Sequence, residues 1–118
     1  MKIISVRFYA NVSGHEPVRE WLRELDRDDR RVIGQDVKTV ELGWPLGMPL
    51  VKKMDVSLWE VRSDLPKGRI ARMLFTVAGS EMVLLHGFIK KSRKISSGDL
   101  NLAKSRLKDV FRKQGGVS

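Results

Sequence analysis

Apolar positions along the chain change their period several times, and each change marks an element. From Ile3 to Tyr9, β-branched and aromatic residues alternate around Val6 and Phe8, the period of a strand. Asn11 to Gly14 is a turn cluster. Pro17 then suits a first helical turn, where its missing N–H costs little. Val18, Trp21, Leu22 and Leu25 follow at the spacing of one helical face. Asp26 to Asp29 interrupts that face and offers a cap for a second helix. This helix carries Val32, Ile33, Val37 and Val40 on one side and ends near Gly43. Its interior Gly34 weakens it somewhat. The two helices are expected to form a hairpin.

Two prolines and a glycine in Trp44 to Pro49 forbid a continuing helix, so an irregular loop follows. Its apolar run of Trp44, Leu46, Met48 and Leu50 either folds back on the core or is covered by a partner. Ser57 to Ser63, Arg69 to Val77 and Glu81 to Ile89 read as three strands. A turn at Leu65 to Gly68 joins the first two, and Gly79-Ser80 suits a two-residue hairpin between the others. Ser96 with Asp99 resembles a capping box. The helix after it presents Leu100, Ala103, Leu107, Val110 and Phe111 on one face. The tail from Gly115 to Ser118 is expected to fray. The prediction is a single α+β domain over residues 1–118. A helical hairpin packs on a small, mainly antiparallel four-stranded sheet in the order β-α-α-β-β-β-α.

Charge changes this picture. The 118 residues include 23 Lys and Arg against 14 Asp and Glu, a net charge of +9, which favours an anionic partner. Arg62, Arg69 and Arg72 lie within or beside the apolar strand runs, and Lys90, Lys91, Arg93 and Lys94 follow the last strand directly. A guanidinium in a strand interior is unusual unless it faces a polyanion, so these residues point to nucleic acid. If Ala78 faces Glu81, regular pairing sets Arg72 opposite Gly87, Leu74 opposite Leu85 and Ile70 opposite Ile89. A glycine there leaves room for a long side chain and a ligand. The same register sets His86 opposite Met73, on the other face from Arg72; a bulge at Gly87 would change that. His86 is therefore a weak candidate. Glu60 shares a face with Arg62 and either pairs with a strand arginine or acts as a base.

The absence of cysteine excludes disulfides, thiolate metal sites and thiol catalysis. His15 and His86 have no metal-ligand spacing, and no cofactor is expected. No apolar run approaches the roughly 20 residues of a membrane span. Arg7 interrupts the stretch where a signal peptide would stay apolar. A cytoplasmic protein with no membrane partner is expected.

The ordered set LWEVR, RIARMLF and LLHGFIKKSRK, followed by a helix containing LAKSR, resembles the phage-derived, HigB-like branch of the RelE toxin superfamily. The resemblance runs from the LWEVR strand to the last helix, and the helical hairpin before it fits too. It implies a RelE-like fold and the toxin of a type II toxin–antitoxin system. Such toxins act as ribosome-dependent, metal-independent mRNA endonucleases that inhibit translation. The implied partners are a cognate antitoxin, often with a helix-turn-helix domain, and the ribosome with its mRNA; DNA is reached only through the antitoxin. Carried over by position, Arg62 and Arg72 match the family's strand arginines, and Lys90, Lys91 and Lys94 its basic loop. Arg62, Arg72, Lys90 and Lys91 are then the catalytic candidates, and Arg69, Arg93 and Lys94 the RNA-binding ones.

Metal-free RNA cleavage must remove the 2′-OH proton, hold the phosphorane-like charge and protonate the 5′-oxygen. Arginine suits the second task, because its planar fork holds two oxygens and stays charged. Lysine serves the first only if crowding by other cations lowers its pKa. The sequence departs from the family pattern in reading KKSRKISS at the loop, without the usual Thr and Pro. No histidine or tyrosine follows that loop, which leaves the general acid open. Two further readings stand: a non-catalytic RNA- or DNA-binding module, and an inactive member that only binds its partner.

Overall fold

A computed structural model describes residues 3–90 and 95–115. Its elements run β1 (Ser5–Phe8), α1 (Pro17–Glu24), α2 (Arg27–Gly43), β2 (Val51–Asp55), β3 (Leu58–Asp64), β4 (Ile70–Ala78), β5 (Glu81–Lys90) and α3 (Ser97–Gly115), with a 3-10 turn at Pro66–Gly68. The hairpin of helices, the three long strands and the last helix lie where the periodicity put them.

The sheet has five strands, not four, in the order β1-β5-β4-β3-β2. The four-stranded expectation omitted β2, which pairs antiparallel with β3 through Val51–Val61 and Lys53–Trp59. Only five residues long and irregular between Lys53 and Asp55, it shows little alternation. The Asp55 carboxylate accepts the Val56 N–H at 2.7 Å, and Ser57 takes a φ of 56° to close the turn into β3. Short polar side chains that bond the local backbone commonly make such turns. The sheet is mixed: β1 runs parallel to β5, from Ser5–Glu81 to Phe8–Leu84, and the helical hairpin carries the chain from β1 at one edge to β2 at the other.

Apolar residues cover both faces of the sheet. On one, Val18 of α1 and Ile33, Val37 and Val40 of α2 pack on Val61, Met73, Phe75 and Leu84. On the other, Ala103 and Val110 of α3, with Leu100 and Leu107, pack on Leu58, Leu74, Val83, Leu85 and Phe88. Phe111, expected on the buried face of α3, is 38% exposed. The apolar loop after α2 folds back. Trp44 meets Trp59 edge-on at 5.0 Å and Phe75 at 5.5 Å, and Leu46 and Leu50 join the same core. Met48 alone of that run stays in solvent, 75% exposed.

The β4–β5 ladder holds a bulge that regular pairing missed. Ala78–Glu81 and Phe75–Leu84 follow the expected register, but Leu74 then pairs with His86, leaving Leu85 as the extra residue. From there every partner moves by one. Arg72 faces Phe88, not Gly87; Met73 faces Gly87, not His86; and Ile70 faces Lys90, not Ile89. The Leu85 carbonyl accepts the Arg106 guanidinium of α3 at 2.8 Å. The bulge thus keeps its backbone acceptor satisfied under the helix.

Candidate nucleic-acid interface

Cross-strand partners share a face of the sheet. Lys52, Glu60, Leu74 and His86 therefore form one row across β2, β3, β4 and β5, and Arg62, Arg72 and Phe88 form the next. Residues two apart in a strand also share a face. All of these side chains consequently lie on the α3 side of the sheet; Leu74 and Phe88 pack under α3, and Lys52 and Arg62 stay exposed toward the β2 edge. The bulge is what brings His86 to this side, against the expectation that it pairs with Met73 on the face away from Arg72.

Where the loop after α2 meets the edge of β2, these rows border a cleft of about 440 Å³ lined by Met48, Pro49, Lys52, Glu60, Arg62 and Arg72. Arg72 lies at its floor. It is only 5% exposed, and its Nη1 donates to Glu60 Oε2 at 3.2 Å, with Glu60 itself 2% exposed. The Arg72 head is thus held by Glu60, the pairing that was one of the two roles open to that carboxylate. Above the pair, Lys52 and Arg62 are exposed cations. The nearest carboxylate to Arg62 is Asp64, with Nε to Oδ1 at 4.0 Å, not Glu60. Since Arg72 balances Glu60, the cleft keeps two net positive charges from Lys52 and Arg62. It can hold a phosphate, with arginine forks supplying paired donors.

The other candidates separate. Arg69 is committed elsewhere: its two terminal nitrogens grip the Asp29 carboxylate at 2.7 and 2.9 Å, and its Nε donates to the Pro66 carbonyl at 3.1 Å. Asp29 is buried in the first turn of α2, so this fork ties α2 to the turn before β4. The hydrogen bonds to Asp29 hold the Arg69 proton still more tightly than usual. Arg69, expected as an RNA contact, is thus held between α2 and the turn before β4. Lys90 closes β5 opposite Ile70. Lys91, Arg93 and Lys94 lie outside the described residues.

His86 is also engaged. Its Nε2 is 2.7 Å from Asp99 Oδ1 in the first turn of α3. The carboxylate accepts, so Nε2 carries the proton. Ser96 Oγ donates to the other Asp99 oxygen at 2.6 Å and accepts the Asp99 N–H at 3.1 Å. Ser96 therefore caps α3 through the Asp99 N–H, and the Asp99 carboxylate also anchors His86. The space at Gly87, expected to admit a ligand beside Arg72, is filled on the opposite face by the Trp21 ring. Tyr9 is buried, and its hydroxyl donates to Asp109 at 2.6 Å. Burial first, and the Asp109 bond and charge second, push its pKa above 10.0.

Lys52 is the cleft residue that sequence reasoning missed, because the strand carrying it was missed. The signal was slight: Val51 and Met54 as the apolar residues of VKKMD, followed by an Asp-Val-Ser turn. No group of three or more metal-ligating side chains occurs among the described residues. No helix among them is long and apolar enough to cross a membrane. A family model described as Phage derived protein Gp49-like (DUF891) matches residues 20–108. No curated protein matches the chain.

Proposed function

The chain belongs to the Gp49-like family of phage-derived proteins, within the RelE/HigB-like toxin superfamily, and from that premise we propose that it is the toxin of a type II toxin–antitoxin system. The family is commonly toxin-like, and an antitoxin partner goes with it. The proposed activity is ribosome-dependent, metal-independent cleavage of mRNA in the HigB-like manner. The observation that carries it is the cleft in which exposed Lys52 and Arg62 stand over a buried Arg72–Glu60 pair. Glu60 fixes the Arg72 fork, so its position is preorganised. Such fixed charges stabilise a developing phosphorane far better than mobile ones. Arg62 closes on the same oxygens from above. Lys90 and Lys91, carried by the family resemblance, supply the proton transfers. Lys52 holds the flanking phosphate.

Primer extension on a reporter mRNA in a translation extract tests the proposal. The wild-type protein produces new 5′ ends only on translated messages. Arg62→Ala lowers their yield by about 10²–10³-fold, the usual cost of removing one transition-state donor. Among the described residues neither histidine nor tyrosine lines the cleft, and this favours a second reading in which the same surface binds RNA without cutting it. Translation arrest on an intact message would establish that reading and overturn the first.

A further inference from the structure

The phosphate cleft has a neighbour of different chemistry. A second cleft of about 510 Å³ is lined by Val32, Asp36, Pro49, Leu50, Arg62 and Asp64. It shares Pro49 and Arg62 with the first, so the two adjoin across the Arg62 side chain. The first is cationic. The second is an apolar slot of Val32, Pro49 and Leu50 flanked by two carboxylates, one from α2 and one from the end of β3. Asp64 is well exposed and touches Arg62 only at 4.0 Å, so most of its accepting capacity faces solvent.

A nucleotide has this same division. Its phosphate is anionic, its base has two apolar faces, and its base edge carries donors and acceptors. The volume lies within the range of small-ligand pockets. We infer that the second cleft receives a nucleobase whose 3′ or 5′ phosphate occupies the first, and that Asp36 and Asp64 select a base by its donors. Carboxylates accept from the exocyclic amino groups of bases. Guanine presents a ring N–H and an amino group side by side and satisfies both oxygens of one carboxylate. Uracil offers one N–H flanked by two carbonyls, which a carboxylate repels. The inferred order therefore sets guanine first and uracil last. This deepens the proposed function and rests on its phosphate cleft.

Nuclear magnetic resonance titration tests it, using 2′-O-methyl RNA trinucleotides that differ only in their middle base. The methyl group blocks cleavage, so affinity alone is read. Guanine at the middle position is expected to bind on the order of tenfold more tightly than uracil. Asp36→Asn and Asp64→Asn each bring that ratio toward one. The ratio is the readout because losing a negative charge raises the affinity for every RNA alike. Asp64 is exposed, so its variant folds even if the Asp36 variant does not. Equal, salt-sensitive affinity for all four bases would overturn the base slot and leave the phosphate cleft standing. A guanine preference that survives both substitutions would also overturn it. No binding of any trinucleotide would overturn the base slot, while the phosphate cleft is judged separately by Arg62→Ala in the translation extract.

Discussion

Arg72 and Arg62 are ten residues apart in sequence and directly opposite in the sheet, yet they differ in what their loss costs. Removing Arg72 leaves the Glu60 carboxylate buried without its partner. Breaking a buried pair from one side costs about 3–5 kcal/mol, whereas replacing both members by apolar residues is often neutral. Arg72→Ala is therefore expected to lower stability by about that amount in urea unfolding. The double variant Arg72→Met, Glu60→Leu recovers most of it without recovering mRNA cleavage. Equal stability of Arg72→Ala and wild type would show that the pair is not buried as described. Arg62, at the surface, is expected to change stability by no more than about 0.5 kcal/mol on truncation. From the sequence both arginines were visible as strand residues. Which one is buried was not, because a strand's alternation gives the face and not the depth of cover that α3 and the loop after α2 provide.

Elements were legible where their periods ran long. The helical hairpin, the three long strands and the Ser96–Asp99 cap stand where the pattern put them. β2 was not, because five residues with two adjacent lysines carry no clear alternation; its absence hid Lys52. The register of β5 was not, because Leu84 and Leu85 are both apolar and either can face either side. The pairing of Leu74 with His86 marks Leu85 as the extra residue, and Arg106 bonds its carbonyl. Gly87 shows what that shift does. The glycine now sits beneath Trp21 of α1, so a methyl group at Gly87 would overlap the ring. Gly87→Ala is expected to cost about 1–3 kcal/mol by overpacking, and Trp21→Leu in the same chain recovers part of it. A full loss that Trp21→Leu does not relieve would place the strain in the backbone. The Tyr9–Asp109 bond ties the end of β1 to α3 in a pH-dependent way. Its folded pKa is raised, so its stabilisation is complete below the ordinary value of 10.0 and is lost as pH rises through the folded value. Thermal midpoints should fall more steeply above pH 10 for wild type than for Tyr9→Phe; parallel curves would remove Tyr9 as the cause.

Over the whole molecule, the net charge of +9 says that an anion is attracted but not where it binds. Several cations are already spent on the protein itself, among them Arg69 on Asp29, Arg7 on Glu81 and Lys104 on Asp55. Location can be separated from total charge by comparing two substitutions that change the total equally. Lys52→Gln removes a cation lining the cleft. Lys38→Gln removes an exposed one on α2, which packs on the other face of the sheet. The molecule extends 48 × 34 × 25 Å, several times the Debye length of about 10 Å at 0.1 M salt. Charges beyond that length are largely screened, and only a cation that contacts a phosphate releases counterions; Lys38 lines neither cleft. In a series of ribosome-binding measurements against salt, Lys52→Gln is expected to reduce the slope of log affinity on log salt by about 0.7–0.9, the value of one phosphate contact. Lys38→Gln is expected to leave that slope unchanged. Equal effects of the two would mean that the ribosome senses only the overall field, and the cleft would lose its claim to be the binding surface. A larger effect for Lys38 would move the phosphate contact from Lys52 to the exposed surface of α2.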